Sequence, residues 1–190
     1  MKIAIIAWGS LLWDPRTLKL ANEFSPSGPT LPIEFSRVSG RDGSPLRLTL
    51  VLDEEHGTPC CTHVAESSYR SLNLAKENLR FREGMHHVNG VGYVIKQSED
   101  TSFRAQERHP EAVAIIRAWL ADSDYDAVIW TALASNFDER TGEPFSEKAA
   151  LEFLSQQQQE HLAASLEYIR KAPAAISTPV RLAVSDHWPD

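Results

Sequence analysis

The sequence predicts an α+β fold around a mostly antiparallel β-sheet, either open or closed on itself. Six segments carry the apolar or alternating pattern of β-strands, and several are close neighbours that short turns can join as hairpins. Helical patterns lie between the strands at irregular intervals, which argues against a doubly wound parallel sheet. The 190 residues, 42% of them hydrophobic, are enough to bury a core. We expect one domain over residues 1–172, followed by a C-terminal tail over residues 173–190.

The strands are predicted from patterns that differ along the chain. Ile3–Ala7 is apolar on both faces, as is typical of a buried central strand. Residues 46–52 alternate leucine with Arg47, Thr49 and Val51, as in a strand with one buried face. The other strands are predicted over residues 33–38, 60–65, 91–96 and 127–133, with a loop over 25–32 and a turn over 39–45.

Three helices are predicted from capping residues and apolar spacing. The first begins after the serines at 67–68 and ends just before Gly84, which supplies a left-handed C-terminal residue. The second begins at Pro110, because proline suits the first turn of a helix. A single long helix follows residues 144–146 and ends at Pro173, and the stretch beyond it is predicted to be irregular.

Charge and cysteine usage exclude several classes of partner. The net charge is −7 at pH 7 with no cluster of Lys and Arg, so we expect neither nucleic acid nor a membrane surface as a partner. Cys60 and Cys61 are adjacent, and neighbours on a strand point to opposite faces, so we interpret them as free thiols in a reducing compartment. The apolar run at residues 3–7 is too short for a membrane span and lacks a signal-peptide cleavage site, so we expect a cytoplasmic protein.

Two segments are candidates for chemistry, and the first is the turn Trp8-Gly9-Ser10-Leu11-Leu12-Trp13, directly after the first strand. A glycine at a strand end lets the backbone approach a ligand closely. Successive N–H groups in such a turn can bind an anion. The alternative is a tight turn flanked by core aromatic residues, and the pattern alone favours this alternative.

The second candidate is Glu83, at the predicted end of the first helix. The carbonyl ends of a helix carry about half a negative charge, which suits the position to a carboxylate that exchanges protons near neutral pH. The alternative is an ordinary ion pair with Arg82 or Arg80, and Glu83 taken by itself favours this alternative. No metal site is predicted, because no paired Cys or His ligands stand at zinc spacing.

Four motifs stand in a recognisable order along the chain. Residues 8–15 are Trp-Gly-Ser-Leu-Leu-Trp-Asp-Pro, residues 35–37 are Phe-Ser-Arg, residues 79–83 are Leu-Arg-Phe-Arg-Glu, and Gly92 precedes Tyr93. They resemble the Tyr-Gly-Ser-Leu turn, the Ser-Arg strand, the Phe-Arg-Glu helix end and the Gly-Tyr pair of the γ-glutamylcyclotransferase superfamily, most of all its ChaC branch. The resemblance covers about residues 1–170.

The resemblance implies a small, mostly antiparallel β-barrel with peripheral helices, and an enzyme that needs no cofactor or metal. In the implied reaction, the α-amine of a γ-glutamyl group attacks its own γ-carbonyl, 5-oxoproline forms, and the amine behind the γ-amide leaves. The enzyme is thus an amine-lyase that acts on a small γ-glutamyl molecule. By this resemblance Glu83 is the catalytic base and acid, and the substrate contacts are Trp8, Gly9, Ser10, Leu11, Arg37 and Tyr93.

Two departures from the family pattern leave the leaving amine open. Trp8 stands where the family has Tyr and offers only an N–H donor. Residues 84–92 are longer than the family's glycine link. The resemblance therefore leaves three classes of substrate open, namely glutathione, another γ-glutamyl peptide and a γ-glutamyl amine. The sequence does not indicate the oligomeric state. Two other functions remain: a non-catalytic module that binds a metabolite or partner, and a hydrolase in which water replaces the α-amine.

Overall fold

The computed structural model describes residues 1–40, 45–98 and 100–189 and divides the chain into two compact units. The first unit comprises Met1–Leu31 and Cys61–Leu133, and the second comprises Pro32–Cys60 and Ala134–Asp190. Each unit therefore combines two separate stretches of the sequence. Of the turn predicted over residues 39–45, residues 41–44 lie outside the described residues.

The first unit contains a four-stranded sheet with β1 (Ile3–Ala7) and β7 (Ala127–Thr131) in the middle. These two strands are parallel, whereas β5 (His63–Glu66) and β6 (Val91–Ile95) pair antiparallel with them at the two edges. Every residue of β1 is buried. The prediction of a buried central strand at this position is therefore confirmed.

Helix α1 (Leu72–Glu83) covers one face of this sheet. Its apolar side chains pack with those of β1, β6 and β7 in one cluster that includes Ile3, Ile5, Ala75, Leu79, Val91 and Ile129. The helix begins after Ser71 rather than at residues 67–68, and it ends as predicted at Gly84, whose φ of 64° is left-handed. The unit also contains α2 (Phe103–Arg108) and α3 (Pro110–Asp122).

The second unit contains a three-stranded sheet and a group of helices. In the sheet, β2 (Thr30–Ser39) lies between β3 (Arg47–Leu52) and β4 (Thr58–Cys61), and β2 pairs antiparallel with β3. Helix α6 (Gln159–Lys171) packs on β3, where Leu48 N–H donates to Ser165 Oγ at 3.1 Å. The helices are α4 (Phe137–Thr141), α5 (Glu147–Ser155), α6 (Gln159–Lys171) and α7 (Pro179–His187).

The helices of the second unit differ from the sequence prediction at two places. The single long helix predicted between residues 146 and 173 was wrong: Gln157 N–H bonds to Leu154 C=O at 3.1 Å, the chain turns, and α5 and α6 pack against each other. Residues 179–187, predicted to be irregular, form α7. Thr178 caps this helix by accepting a hydrogen bond from Arg181 N–H, and Pro179 occupies its first turn.

Two further differences from the sequence prediction concern the strand expected over residues 60–65 and a helix that lies just before Pro110. The strand predicted over residues 60–65 is two strands, β4 and β5, which lie in different sheets. They separate at Thr62, whose hydroxyl donates to Pro29 C=O at 2.6 Å. Helix α2 was not predicted, although Ser102 caps it through Ala105 N–H.

The strand pairings show how much of the predicted architecture is present. The α+β class and the mostly antiparallel pairing are confirmed. Among the described residues the strands pair as two separate sheets and no pairing closes either one, so the barrel is not confirmed. Cys60 is buried, Cys61 is exposed, and both thiols are free as predicted. No helix in the described ranges combines the length and apolar character needed to cross a membrane.

Candidate functional site

Several of the predicted site residues gather at one edge of the first unit's sheet. Because β1 and β7 are parallel, their carboxyl ends meet at the same edge, and the chain leaves β1 there into the turn over residues 8–14. Helix α1 ends at this edge too, since the hydroxyl of Thr131 at the end of β7 donates to Glu83 Oε1 at 3.5 Å. The space outside the carboxyl ends of parallel strands is a common place for ligands.

The turn after β1 is fixed by its own backbone. Residues 10–12 form one turn of 3₁₀ helix, in which Leu12 N–H bonds to Gly9 C=O at 3.0 Å and Asp14 N–H bonds to Ser10 C=O at 2.8 Å. These bonds use the N–H groups of Leu12 and Asp14, not those of Gly9 and Ser10. Trp8 and Leu11 are both buried, each with about 5% of its surface exposed, so a contact between either residue and substrate stays a prediction.

Arg82 connects this turn to the end of α1. Its side chain is only 2% exposed. One guanidinium nitrogen, Nη2, donates to Ser10 Oγ at 3.1 Å and also to Asp14 C=O, while the other, Nη1, donates to Glu83 Oε1 at 3.0 Å. A buried guanidinium needs partners for its charge, and Nη1 and Nη2 have them, whereas Nε has no hydrogen-bond partner among the described residues. Arg82 therefore brings Ser10 and Glu83 to the same guanidinium, although 72 positions separate Ser10 from Arg82.

Glu83 is only partly removed from solvent. Its side chain is 19% exposed, and its Oε1 accepts hydrogen bonds from Arg82 and, weakly, from Thr131. The predicted alternative of an ion pair with Arg82 is therefore present. Because the same guanidinium also bonds to Ser10, the ion pair places Glu83 beside the candidate turn rather than away from it.

Tyr93 lies on the same sheet but bonds to a different carboxylate. Its hydroxyl donates to Asp100 Oδ2 at 3.4 Å, and the Lys76 ammonium lies 4.1 Å from its ring centroid. Burial, with the carboxylate of Asp100, raises the pKa of the Tyr93 hydroxyl.

Gly92, the residue before Tyr93, is required by packing, since a Cβ there would lie 2.4 Å from the Trp130 ring. The hydrogen bonds to Glu83 Oε1 come from Arg82 and Thr131 rather than from Tyr93. A contact between Tyr93 and substrate stays a prediction.

Arg37 belongs to the second unit, on β2. Its guanidinium donates to Ala134 C=O at 2.6 Å. Nearby on the same strand, Val38 N–H donates to the amide oxygen of Asn136 at 2.8 Å. The predicted contact between Arg37 and a substrate carboxylate stays a prediction.

Sequence reasoning treated Arg82 only as an ion-pair partner and missed Thr131 entirely. The signal for Arg82 was its position, because Ala75, Leu79 and Arg82 are the buried residues of α1 and lie at helical spacing on one face. An arginine on the buried face of a helix needs partners inside the fold. Thr131 had no such signal, since a threonine at a strand end is common.

A metal ion requires several ligand side chains arranged around one point. Within residues 1–40, 45–98 and 100–189, no group of three or more His, Cys, Asp or Glu side chains is arranged to hold a metal ion.

No family model, no curated protein and no solved structure matches this chain. The motifs in the sequence and the geometry around Arg82 are therefore the features that indicate a function.

Proposed function

We propose that the protein is a γ-glutamyl cyclotransferase that converts a γ-glutamyl peptide or amine into 5-oxoproline and the free amine. The observation that carries the proposal is the guanidinium of Arg82, which bonds to Glu83 on one side and to Ser10 on the other. The proposed proton carrier and the proposed substrate turn are therefore neighbours in the fold. A site of this kind can hold a substrate in the conformer that cyclises, which contributes several kcal/mol to an intramolecular reaction, about 7 or more in favourable cases.

Glu83 is the group that transfers the proton in this proposal. The α-nitrogen of the substrate is an ammonium at neutral pH, and it becomes a nucleophile when the Glu83 carboxylate accepts one of its protons. The amine then attacks the γ-carbonyl carbon. Protonated Glu83 returns its proton to the departing nitrogen as the C–N bond breaks. The second proton lost by the α-nitrogen reaches the released amine through solvent, so the reaction balances without an added reagent.

The turn after β1 supplies the electrophilic side of the site. The N–H groups of Gly9 and Ser10 are not used in the backbone bonds that fix the turn, and they are suited to the γ-carbonyl oxygen as it gains charge. The ion pair with Arg82 is made by the carboxylate form of Glu83, the form that accepts a proton. We place the reaction in the cytoplasm, where the free thiols of Cys60 and Cys61 would stay reduced.

The test is product analysis on a panel of γ-glutamyl compounds that includes glutathione, γ-glutamyl dipeptides and γ-glutamyl amines. We expect mass spectrometry to detect 5-oxoproline from at least one of them, and none when the α-amine is acetylated, because an acetylated amine cannot attack. Glu77→Gln is the matched control for Glu83→Gln: both residues are on α1, but Glu77 is half exposed and pairs with Arg80.

Three other results would replace this proposal. No 5-oxoproline from any compound would reject the cyclotransferase. Glutamate released from amine-capped compounds would indicate a hydrolase. Thermal stabilisation by a γ-glutamyl compound with no product of either kind would indicate a binding module.

A further inference from the structure

We propose that Arg82 is a positioning residue that prepares both reacting sides of the site: it orients Glu83 through one guanidinium nitrogen and the Ser10 hydroxyl through the other. The inference rests on the proposed function and deepens it. Ser10 enters as a side-chain donor, in addition to the backbone of its turn. Arg82 itself does not touch the substrate in this proposal.

The direction of the hydrogen bond between Arg82 and Ser10 is fixed by chemistry. A guanidinium has only donors, so Arg82 Nη2 must donate and Ser10 Oγ must accept over the 3.1 Å between them. A hydroxyl that accepts in this way keeps its own hydrogen free to donate. Within the described residues Ser10 Oγ has no other hydrogen-bond partner, so its hydrogen is available to an acceptor that enters the site.

The acceptor that this hydrogen suits is the γ-carbonyl oxygen of the substrate. Donation to Ser10 from a cation polarises the hydroxyl and makes it a stronger donor. Charge develops on the carbonyl oxygen only as the α-amine attacks, so the bond from Ser10 strengthens in the transition state. The expected signature is a fall in kcat with little change in KM.

The geometry also separates this role from simple burial. Nη1 of Arg82 bonds to Glu83 and Nη2 bonds to Ser10, so one planar group spans both reacting sides. Lysine cannot reproduce this, because an ammonium is a single point donor without the fork of the guanidinium. Arg82→Lys therefore retains the charge beside Glu83 but loses the fixed geometry toward Ser10.

The test compares Ser10→Ala, Ser10→Thr, Arg82→Lys and the double variant Ser10→Ala/Arg82→Lys by steady-state kinetics of 5-oxoproline release. We expect Ser10→Ala to lower kcat by about 10²-fold, the cost of one oxyanion donor, and Ser10→Thr to retain most of kcat because it keeps the hydroxyl. Arg82→Lys should lower kcat in the wild-type background by much more than it does in the Ser10→Ala background, because the two residues act in one network.

Arg181→Lys is the matched control. Arg181 is a half-buried arginine of the second unit, and its guanidinium donates to the carbonyls of Ala172, Pro173 and Ile176. Its replacement removes a similar set of hydrogen bonds, but far along the chain from the turn and in the other unit. We expect it to lower the melting temperature while leaving kcat and KM unchanged.

Each outcome has a defined meaning. Wild-type activity in Ser10→Ala, or effects of Ser10→Ala and Arg82→Lys that simply multiply, would overturn this inference while the cyclotransferase stands. No 5-oxoproline from the wild-type protein would overturn the cyclotransferase, and this inference with it. If Arg82→Lys fails to fold by circular dichroism, the Ser10→Ala and Ser10→Thr pair still supports or overturns the role of the hydroxyl.

Discussion

Each unit contains a carboxylate that is largely removed from water, and the two units satisfy it by different means. Glu83 in the first unit pairs with the Arg82 guanidinium and keeps 19% of its side chain exposed. Glu34 in the second unit is 1% exposed. It accepts hydrogen bonds from the Thr178 hydroxyl at 2.5 Å and from Phe35 N–H at 2.6 Å.

This difference shows what burial alone does to a carboxylate. Burial is the largest influence on Glu34 and raises its pKa, although the bonds from Thr178 and from the N–H groups of Phe35 and Val180 oppose it. The nearby carboxylate of Asp53 raises it further. Glu34 thus joins β2 to the start of α7 and supports the structure of its unit. Glu83, with a cation beside it and 19% of its side chain exposed, is the more accessible of the two carboxylates.

The largest expected effect tests whether only one of these carboxylates takes part in the reaction. Glu83→Gln should lower kcat by about 10²–10⁴-fold, because the amide cannot accept a proton from the α-ammonium. The fold should persist, since the amide oxygen can still accept from Arg82 Nη1. Glu34→Gln should leave kcat unchanged. Equal losses in the two variants would remove the distinction between the two carboxylates.

The next effect concerns packing in the first unit. Gly92→Ala should destabilise the protein by about 3 kcal/mol, because three atoms of the Trp130 ring lie within 2.7 Å of the added Cβ. In the second unit, Gly142→Ala meets no atom within 4 Å but has a φ of +82°, so its cost should be only about 1 kcal/mol of backbone strain. Urea unfolding measures both, and the reverse order of losses would contradict the packing described for β6.

A third effect tests the attachment of α7 in the second unit. Thr178 is fully buried, accepts from Arg181 N–H as the cap of α7 and donates to Glu34. Thr178→Val keeps the shape but removes the hydroxyl, so we expect a loss of about 1–2 kcal/mol. Thr178→Ser restores the hydroxyl and should recover most of this loss. If chemical unfolding shows no difference between valine and threonine, α7 does not depend on this contact.

The smallest effect is the pH dependence of stability due to Glu34. An unperturbed Glu has a pKa of about 4.3, and the folded-state pKa of Glu34 is higher. Its contribution to stability is fully present below the unfolded-state pKa and falls as the pH rises through the folded-state pKa, since the native state must then release a proton from a buried site.

The measurement is the difference in unfolding free energy between the wild type and Glu34→Gln, followed from below the unfolded-state pKa of Glu34 to above its folded-state pKa. Relative to Glu34→Gln, the wild type should lose stability as the pH rises. A difference that is flat with pH, or that grows in favour of the wild type, would show that Glu34 is not the group responsible. The same series for Glu83→Gln provides the comparison with the first unit.

Local sequence signals predicted the elements that local forces determine. Ile3–Ala7 is a central strand because every residue in it is apolar, and α1 ends where Gly84 can adopt a left-handed conformation. Thr178 followed by Pro179 is a helix start of the same local kind, yet α7 was missed because Pro173 was taken as the end of regular structure. Helix caps near the C-terminus therefore carry the same information as caps elsewhere.

The features of the fold and of the candidate site that could not be predicted depend on contacts between residues far apart in the sequence. The bond between Arg82 and Ser10 forms only after α1 has packed on the sheet beside the turn that follows β1. Nothing local indicates that Thr62 separates two strands into different sheets. The motifs placed Glu83 and the turn in one site, but the residue that joins them is visible only in the fold.

Product analysis in water enriched in ¹⁸O tests the proposed ring closure most directly. Ring closure takes no oxygen from water, so the wild-type protein should release 5-oxoproline without ¹⁸O from a γ-glutamyl compound, and Glu83→Gln should release little or none. Glutamate carrying ¹⁸O as the first product, or 5-oxoproline formed equally fast by Glu83→Gln, would contradict a cyclisation in which Glu83 moves the proton.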